Sequence, residues 1–295
     1  MTEFERCTAV RPIAPGRFVA EIDPGWGIPV GPNGGYVAAI AVRALEARLN
    51  PSGDRRLRSL TCHYLRPPAV GSIALDVQIV RSGRRFFTGR LAASQDGKEV
   101  LIALASFAVP DVAIAATWTP PPPDVHGSPA RDAGVVSPED YRPDDGRWLS
   151  RVDGLGTLTE RLRFAPRFGS VQPFAGADSV PESGPLTGGW LVLEEPQPID
   201  AAYVVLAADA WWPAAFEPLT GPAFAPTIDL TIHIRADLPP EGLPDQPILG
   251  RFSSRAASGG LVDEDGELFL ADGTLLAQSR QLALLSPLRP GRLPT

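Results

Sequence analysis

At 295 residues the chain is too long for one small domain and suits one large domain or two of about 100 to 150 residues each. Apolar residues make up 44% and charged residues 21%, which excludes wholesale disorder and permits a sizeable core. A net charge of -7 with no Lys/Arg block argues against a nucleic-acid partner, and Cys7 and Cys62, with neither CxxC nor metal-ligand spacing, argue against a disulfide scaffold or a zinc site. A reducing cytoplasm fits. The opening MTEFERCTAV is acidic where a signal peptide would be basic and then apolar, and no run of about 18 apolar residues occurs, so neither export nor a membrane span is expected.

Along the chain, the first strong pattern is a helix from about Gly34 to Leu49, with Asn33 as N-cap and Val37, Ile40, Ala44 and Leu45 as its apolar stripe. Strands are predicted at Leu57 to Leu65, Ile73 to Arg81 and Phe86 to Ser94, with a fourth from Val100 to Val109 after the turn Asp96-Gly97. Residues 1–109 therefore read as one helix on an antiparallel sheet. Proline then crowds residues 110–150, with a polyproline-like run at Pro120 to Pro123, and this stretch reads as a linker. In residues 151–295 the earlier order returns: a helix from about Ala201 to Trp212, strands at Thr227 to Arg235 and Ile248 to Ala256, and a final pair around Asp272-Gly273.

That return is an internal repeat. SLTCHYLR, from Ser59, lies over DLTIHIRA, from Asp229, and QDGKEVLIALASFAV lies over ADGTLLAQSRQLALL, at offsets that drift from about 167 through 170 to 176 residues. The expected fold class is α+β, a duplicated unit of a long helix against an antiparallel sheet.

Three polar residues stand out in the second half. Asp209 is the only group charged at neutral pH in AAYVVLAADAWWPAAF; it is either a desolvated carboxylate suited to acid-base work or a helix-end Asp facing water before Pro213. Gln281 alternates with small or apolar residues, so its amide is expected to face inward, in a structural or a catalytic role. Strict alternation places Thr227 on the face opposite Ile228, Leu230 and Ile232, where a surface Thr is the simplest reading. The repeat aligns these three with Val42, Leu57 and Ala105, all apolar, while Gly34 and Gly35 align with Ala201 and Ala202. This asymmetry predicts one composite site per chain, with backbone N–H groups at a helix start from one half and side chains from the other.

NGGYVAAIAVRAL, SLTCHYLRP, RSGRRFFTGRLAASQDGKEVLIALASF, LAADAWWPAAF, APTIDLTIHIR and DGTLLAQSRQ occur in an order that resembles the acyl-CoA thioesterase II family. The resemblance implies a double hot-dog fold, an acyl-CoA substrate, and Asp209, Thr227 and Gln281 as the catalytic residues, with no cofactor and no metal. The chain departs from the family pattern where Leu282 follows Gln281 in place of an acidic residue. In such a site Thr227 and Gln281 would hold a water and Asp209 would take its proton, while the helix start at Gly34 and Gly35 would hold the carbonyl oxygen. GxSxG is absent. Arg84 and Arg85, in a cluster with Arg81 and Arg90, are either coenzyme A phosphate ligands or a solvated hairpin. His63 and His233 match in the repeat, which favours a shared structural role, but they also keep open a hot-dog hydratase or dehydratase; a non-catalytic acyl-ligand-binding protein is the third reading. A homodimer is the expected assembly if the chain associates further.

Overall fold

A computed structural model of the chain describes residues 1–110, 118–150, 152, 155–174, 176 and 181–287. Helix α1 spans Glu3–Thr8 and helix α2 spans Gly34–Leu49, where Asn33 caps the helix by accepting from the Tyr36 N–H at 2.9 Å. Apart from Arg43 and Glu46, the middle of α2 is small or apolar and buried on every face, so it is a central helix and not a surface one.

The strands around it are β1 Arg11–Ala14, β2 Arg17–Ile22, β3 Arg56–Tyr64, β4 Gly71–Ser82, β5 Phe86–Gln95 and β6 Lys98–Ala108. Later in the chain come β7 Val135–Val136, β8 Trp148–Leu149, β9 Leu162–Phe168 and β10 Leu186–Leu193. Helix α3, Ala201–Ala207, precedes β11 Thr227–Ile234, β12 Ile248–Ser253, β13 Leu261–Phe269 and β14 Leu275–Leu284. They form one sheet in the order β1-β2-β4-β5-β6-β3-β11-β14-β13-β12-β10-β9-β8-β7, antiparallel except where β7 meets β8. The order is a palindrome about the β3–β11 pair up to β9. At that junction Thr61 lies opposite Thr231, with their hydroxyls 3.1 Å apart, so each half covers the edge strand of the other.

Two expectations change. The second helix stops at Ala207 and not near Trp212: the Asp209 N–H bonds back to the Leu206 carbonyl at 3.0 Å, a three-residue closure that tightens the last turn. The chain then swings out, so Trp211 packs edge-on against Phe164, and Asp209 sits in the turn and not within a helix. The Pro-rich stretch is also more than a spacer, because it supplies β7 and β8 and buries Tyr141 and Trp148 in the core. Two-residue strands are too short to leave a period in the sequence; residues 111–117 of this stretch lie outside those described. Among the described residues, no helix is long and apolar enough to cross a membrane.

The helices α2 and α3 pack directly on each other and are tied by charge. Asp200 N-caps α3 by accepting from the Tyr203 N–H at 2.9 Å, and its other oxygen meets Arg43 of α2 at 2.7 Å. Asp200→Ala removes the cap and leaves the guanidinium, one-fifth exposed, with the Glu46 carboxylate at 3.9 Å and the Thr8 hydroxyl at 3.4 Å. The expected loss is about 2 kcal/mol in urea unfolding, more than a cap alone costs, because a partly buried charge loses its main partner.

Candidate active site

The site forms where the start of α2 meets the turn after α3. Asn33 does two things there: its carbonyl oxygen caps α2, and its amide nitrogen donates to the Asp209 backbone carbonyl at 2.8 Å, with the Asp209 carboxylate 3.4 Å away. The Gly35 N–H donates to Asp209 Oδ2 at 2.7 Å. A helix N-terminus suits a carboxylate because its first N–H groups lack partners and its dipole end is positive. Glycine is required here by space: a Cβ at Gly34 would lie 2.8 Å from Asp209 Oδ2, and one at Gly35 would lie 2.9 Å from Asp209 Cβ and 3.0 Å from the Leu206 carbonyl. Tyr64 closes the other side, its hydroxyl donating to the Gly34 carbonyl at 3.0 Å. Asp209 remains partly accessible from a cavity, yet burial pushes its pKa up to about 7, against the lowering effect of the Gly35 N–H.

Thr227 reaches the inner face of the sheet through a β-bulge. Pairing with β14 slips between Thr227 and Asp229, so Thr227 lies opposite Ala283 while Leu230 lies opposite Gln281. The strict alternation used to place it on the outer face fails for this reason. The first half has the same slip between Leu57 and Ser59, which turns Leu57 into the core. The Thr227 hydroxyl donates to Gln281 Oε1 at 2.8 Å, and Gln281 Nε2 donates to Glu264 Oε1 at 2.8 Å. Glu264 and Gln281 are each only 8% exposed.

Asp209, Thr227, Gln281, Glu264, Gly34 and Tyr64 all line one cavity of about 730 Å³. The rest of its wall is mainly aromatic and aliphatic, including Phe164, Phe174, Trp211, Trp212, Phe216 and Phe224. Such an arrangement can bind an apolar group beside a carboxylate that can exchange a proton near neutral pH.

Some expected residues fall elsewhere. Of the backbone N–H groups expected at the helix start, that of Gly35 is taken by Asp209, while among the described residues the Gly34 N–H has no acceptor. Arg84 and Arg85 do not line the cavity. They lie on the hairpin next to Phe86, near the Leu49 end of α2, and a helix of 16 residues puts roughly 24 Å between its two ends. Among the described residues, the cation that lines the cavity is Arg66, which also donates to the Glu99 carbonyl. His63 and His233 are exposed on the outer face of β3 and β11 and do not line the cavity either, which removes the observation that kept a hydratase open. Sequence reasoning missed Tyr64 and Glu264. The signal for Glu264 was an acid in the inward row Val262, Glu264, Gly266, Leu268, obscured by the neighbouring acids Asp263, Asp265 and Glu267.

A helix cradled in a large antiparallel sheet, with its N-terminus at a cavity, defines a hot-dog protein, and comparison of folds agrees. A hot-dog protein of unknown function from Alicyclobacillus acidocaldarius superimposes with a TM-score of 0.78 at 23% identity, over 98% of this chain and 100% of that one. A candidate thioesterase II from Thermobifida fusca YX gives 0.75 at 26% identity over 97% and 98%, and acyl-CoA thioesterase II TesB2 from Mycobacterium marinum gives 0.67 at 18% over 98% and 100%. The profile of the acyl-CoA thioesterase N-terminal domain matches residues 22–108 and that of the C-terminal domain matches residues 133–285. The chain belongs to the acyl-CoA thioesterase II family. No curated protein matches it in sequence.

Proposed function

We propose that the chain is a double hot-dog acyl-CoA thioesterase, with repeats in residues 1–109 and 151–295 and a single site that hydrolyses acyl-CoA to a free acid and coenzyme A. The observation that carries this is the Asp209 carboxylate, held by the Gly35 N–H at the start of α2 and facing an apolar cavity with Thr227 and Gln281 on its wall. With Oδ2 engaged by Gly35, Oδ1 is left for a water. Asp209 takes a proton as the water oxygen bonds to the thioester carbonyl carbon, and the Gly34 N–H is the donor left for the carbonyl oxygen as it gains charge. Collapse re-forms the carbonyl and breaks the C–S bond. The proton held by Asp209 leaves with the thiolate, which restores the carboxylate. The aromatic wall suits an acyl group, and Arg66 suits a coenzyme A phosphate.

The test is release of free thiol from a panel of acyl-CoA esters of increasing chain length. Turnover of at least one supports the reading. Binding of acyl-CoA without thiol release makes the protein an acyl-ligand binder, and hydration of crotonyl-CoA without thiol release makes it a hydratase.

A further inference from the structure

Glu264 is an acid at a core position for which the steps above have no use. It sits on the inward row of β13, directly across from Gln281 of β14. In the first half the equivalent pair is Gly89 and Ala105, and a Cβ at Gly89 would lie 2.5 Å from Leu49, so α2 fills the space there. The acid is thus confined to the half that carries Asp209, Thr227 and Gln281. Both its oxygens are engaged by donors: Oε1 by Gln281 Nε2 at 2.8 Å and Oε2 by the Ala214 N–H at 2.7 Å. Among the described residues, the charged groups whose fields reach it are Asp209 from the turn after α3 and Asp263, next to it on its own strand but on the opposite face, both acidic. Arg280, beside Gln281 on β14, is taken by Asp263 and Asp265.

We propose that Glu264 is a positioning residue whose carboxylate fixes which way round the Gln281 amide lies, and so sets the hydrogen-bond polarity offered to the attacking water. The inference rests on the thioesterase reading of this site. The two ends of an amide are nearly the same shape but opposite in polarity, whereas an ionised carboxylate can only accept. Glu264 therefore requires an N–H from Gln281, which turns Oε1 to the Thr227 hydroxyl and commits that hydroxyl's proton. A water can then donate to Asp209 and to the Thr227 oxygen and accept from the second Gln281 N–H, with one lone pair left for the carbonyl carbon. With the amide reversed, Thr227 accepts an N–H from Gln281, its hydroxyl proton turns from the amide to the water, and the water loses an acceptor. A protonated Glu264 can donate and no longer enforces the orientation. Burial and the Asp209 charge push its pKa up to about 7, so the lock is lost within the same range in which Asp209 is protonated.

The experiment is steady-state acyl-CoA hydrolysis by Glu264→Gln, an isostere that can present either polarity. The expected result is a fall in kcat of roughly 10- to 100-fold with KM within about twofold, since a displaced group costs this much when it positions a reactant. The acid limb of log kcat against pH should be steeper than one just below about pH 7 in the wild type and have a slope of one in Glu264→Gln. In a Gln281→Ala background, Glu264→Gln should add less than a twofold loss. Wild-type kcat and slope in Glu264→Gln overturn the inference while leaving the thioesterase reading intact, and so do losses that multiply in the double variant. A readout independent of turnover is the side-chain amide resonance of Gln281, which should shift with pH near 7 in the wild type and stay fixed in Glu264→Gln. If that shift is present but no acyl-CoA releases thiol, the thioesterase reading fails and the link between the two side chains stands; a resonance equally pH-sensitive in both proteins overturns the link.

Discussion

Asp209→Asn is expected to lower kcat for acyl-CoA hydrolysis by about 10²- to 10⁴-fold, the range for losing a positioned general base, with little change in KM. The isostere keeps an oxygen for the Gly35 N–H, so the contact between α2 and the turn after α3 survives while the proton acceptor is lost. In the wild type, kcat/KM should fall as pH drops through about 7, because the carboxylate must be ionised to take a proton and burial holds its pKa there, well above the ordinary 3.8. Stability should move the opposite way. Between about pH 4 and 7 the folded state binds more protons at Asp209 than the unfolded state does, so this group's contribution is full below about 4 and is lost as pH rises through about 7. Asp209→Asn removes that loss. Its melting temperature relative to the wild type should therefore rise between pH 5 and pH 8, and a Tm difference that is flat or falling with pH would refute the buried carboxylate.

Gly34→Ala and Gly35→Ala are expected to separate activity from packing. At Gly34 the new methyl meets the ends of two side chains, Asp209 Oδ2 at 2.8 Å and the Tyr64 ring at 3.3 Å; the carboxylate can rotate away and the ring give by a few tenths of an ångström at modest cost. Turnover should fall by about 10²-fold as the base is displaced, with unfolding free energy within about 1 kcal/mol of the wild type. At Gly35 the methyl meets Asp209 Cβ and the Leu206 carbonyl, which are fixed by the backbone, so α2 and α3 must move apart. That overpacking should cost about 1–3 kcal/mol in addition to activity. Equal stability of the two variants in urea, or full activity of Gly34→Ala, would remove the close approach of helix start and carboxylate from the mechanism.

The repeat, the central helix with its Asn33 cap, the α+β class and the confinement of Asp209, Thr227 and Gln281 to one half are all legible in the order of the amino acids. These follow from local spacing: apolar residues at helical or strand intervals, and polar residues where the sister half is apolar. Features that depend on a partner far along the chain arise only when the chain packs. The Gly35 N–H goes to an Asp 174 positions away, which no local pattern encodes. Thr227 faces inward because pairing with β14 slips at a bulge, an event between strands and not within one. Arg84 and Arg85 looked suited to phosphate, but α2 carries its C-terminal end to them and its N-terminal end to the cavity. Glu264 was indistinguishable from its acidic neighbours until cross-strand register set it against Gln281, because burial and hydrogen-bond partners are properties of the packed sheet and not of the strand alone.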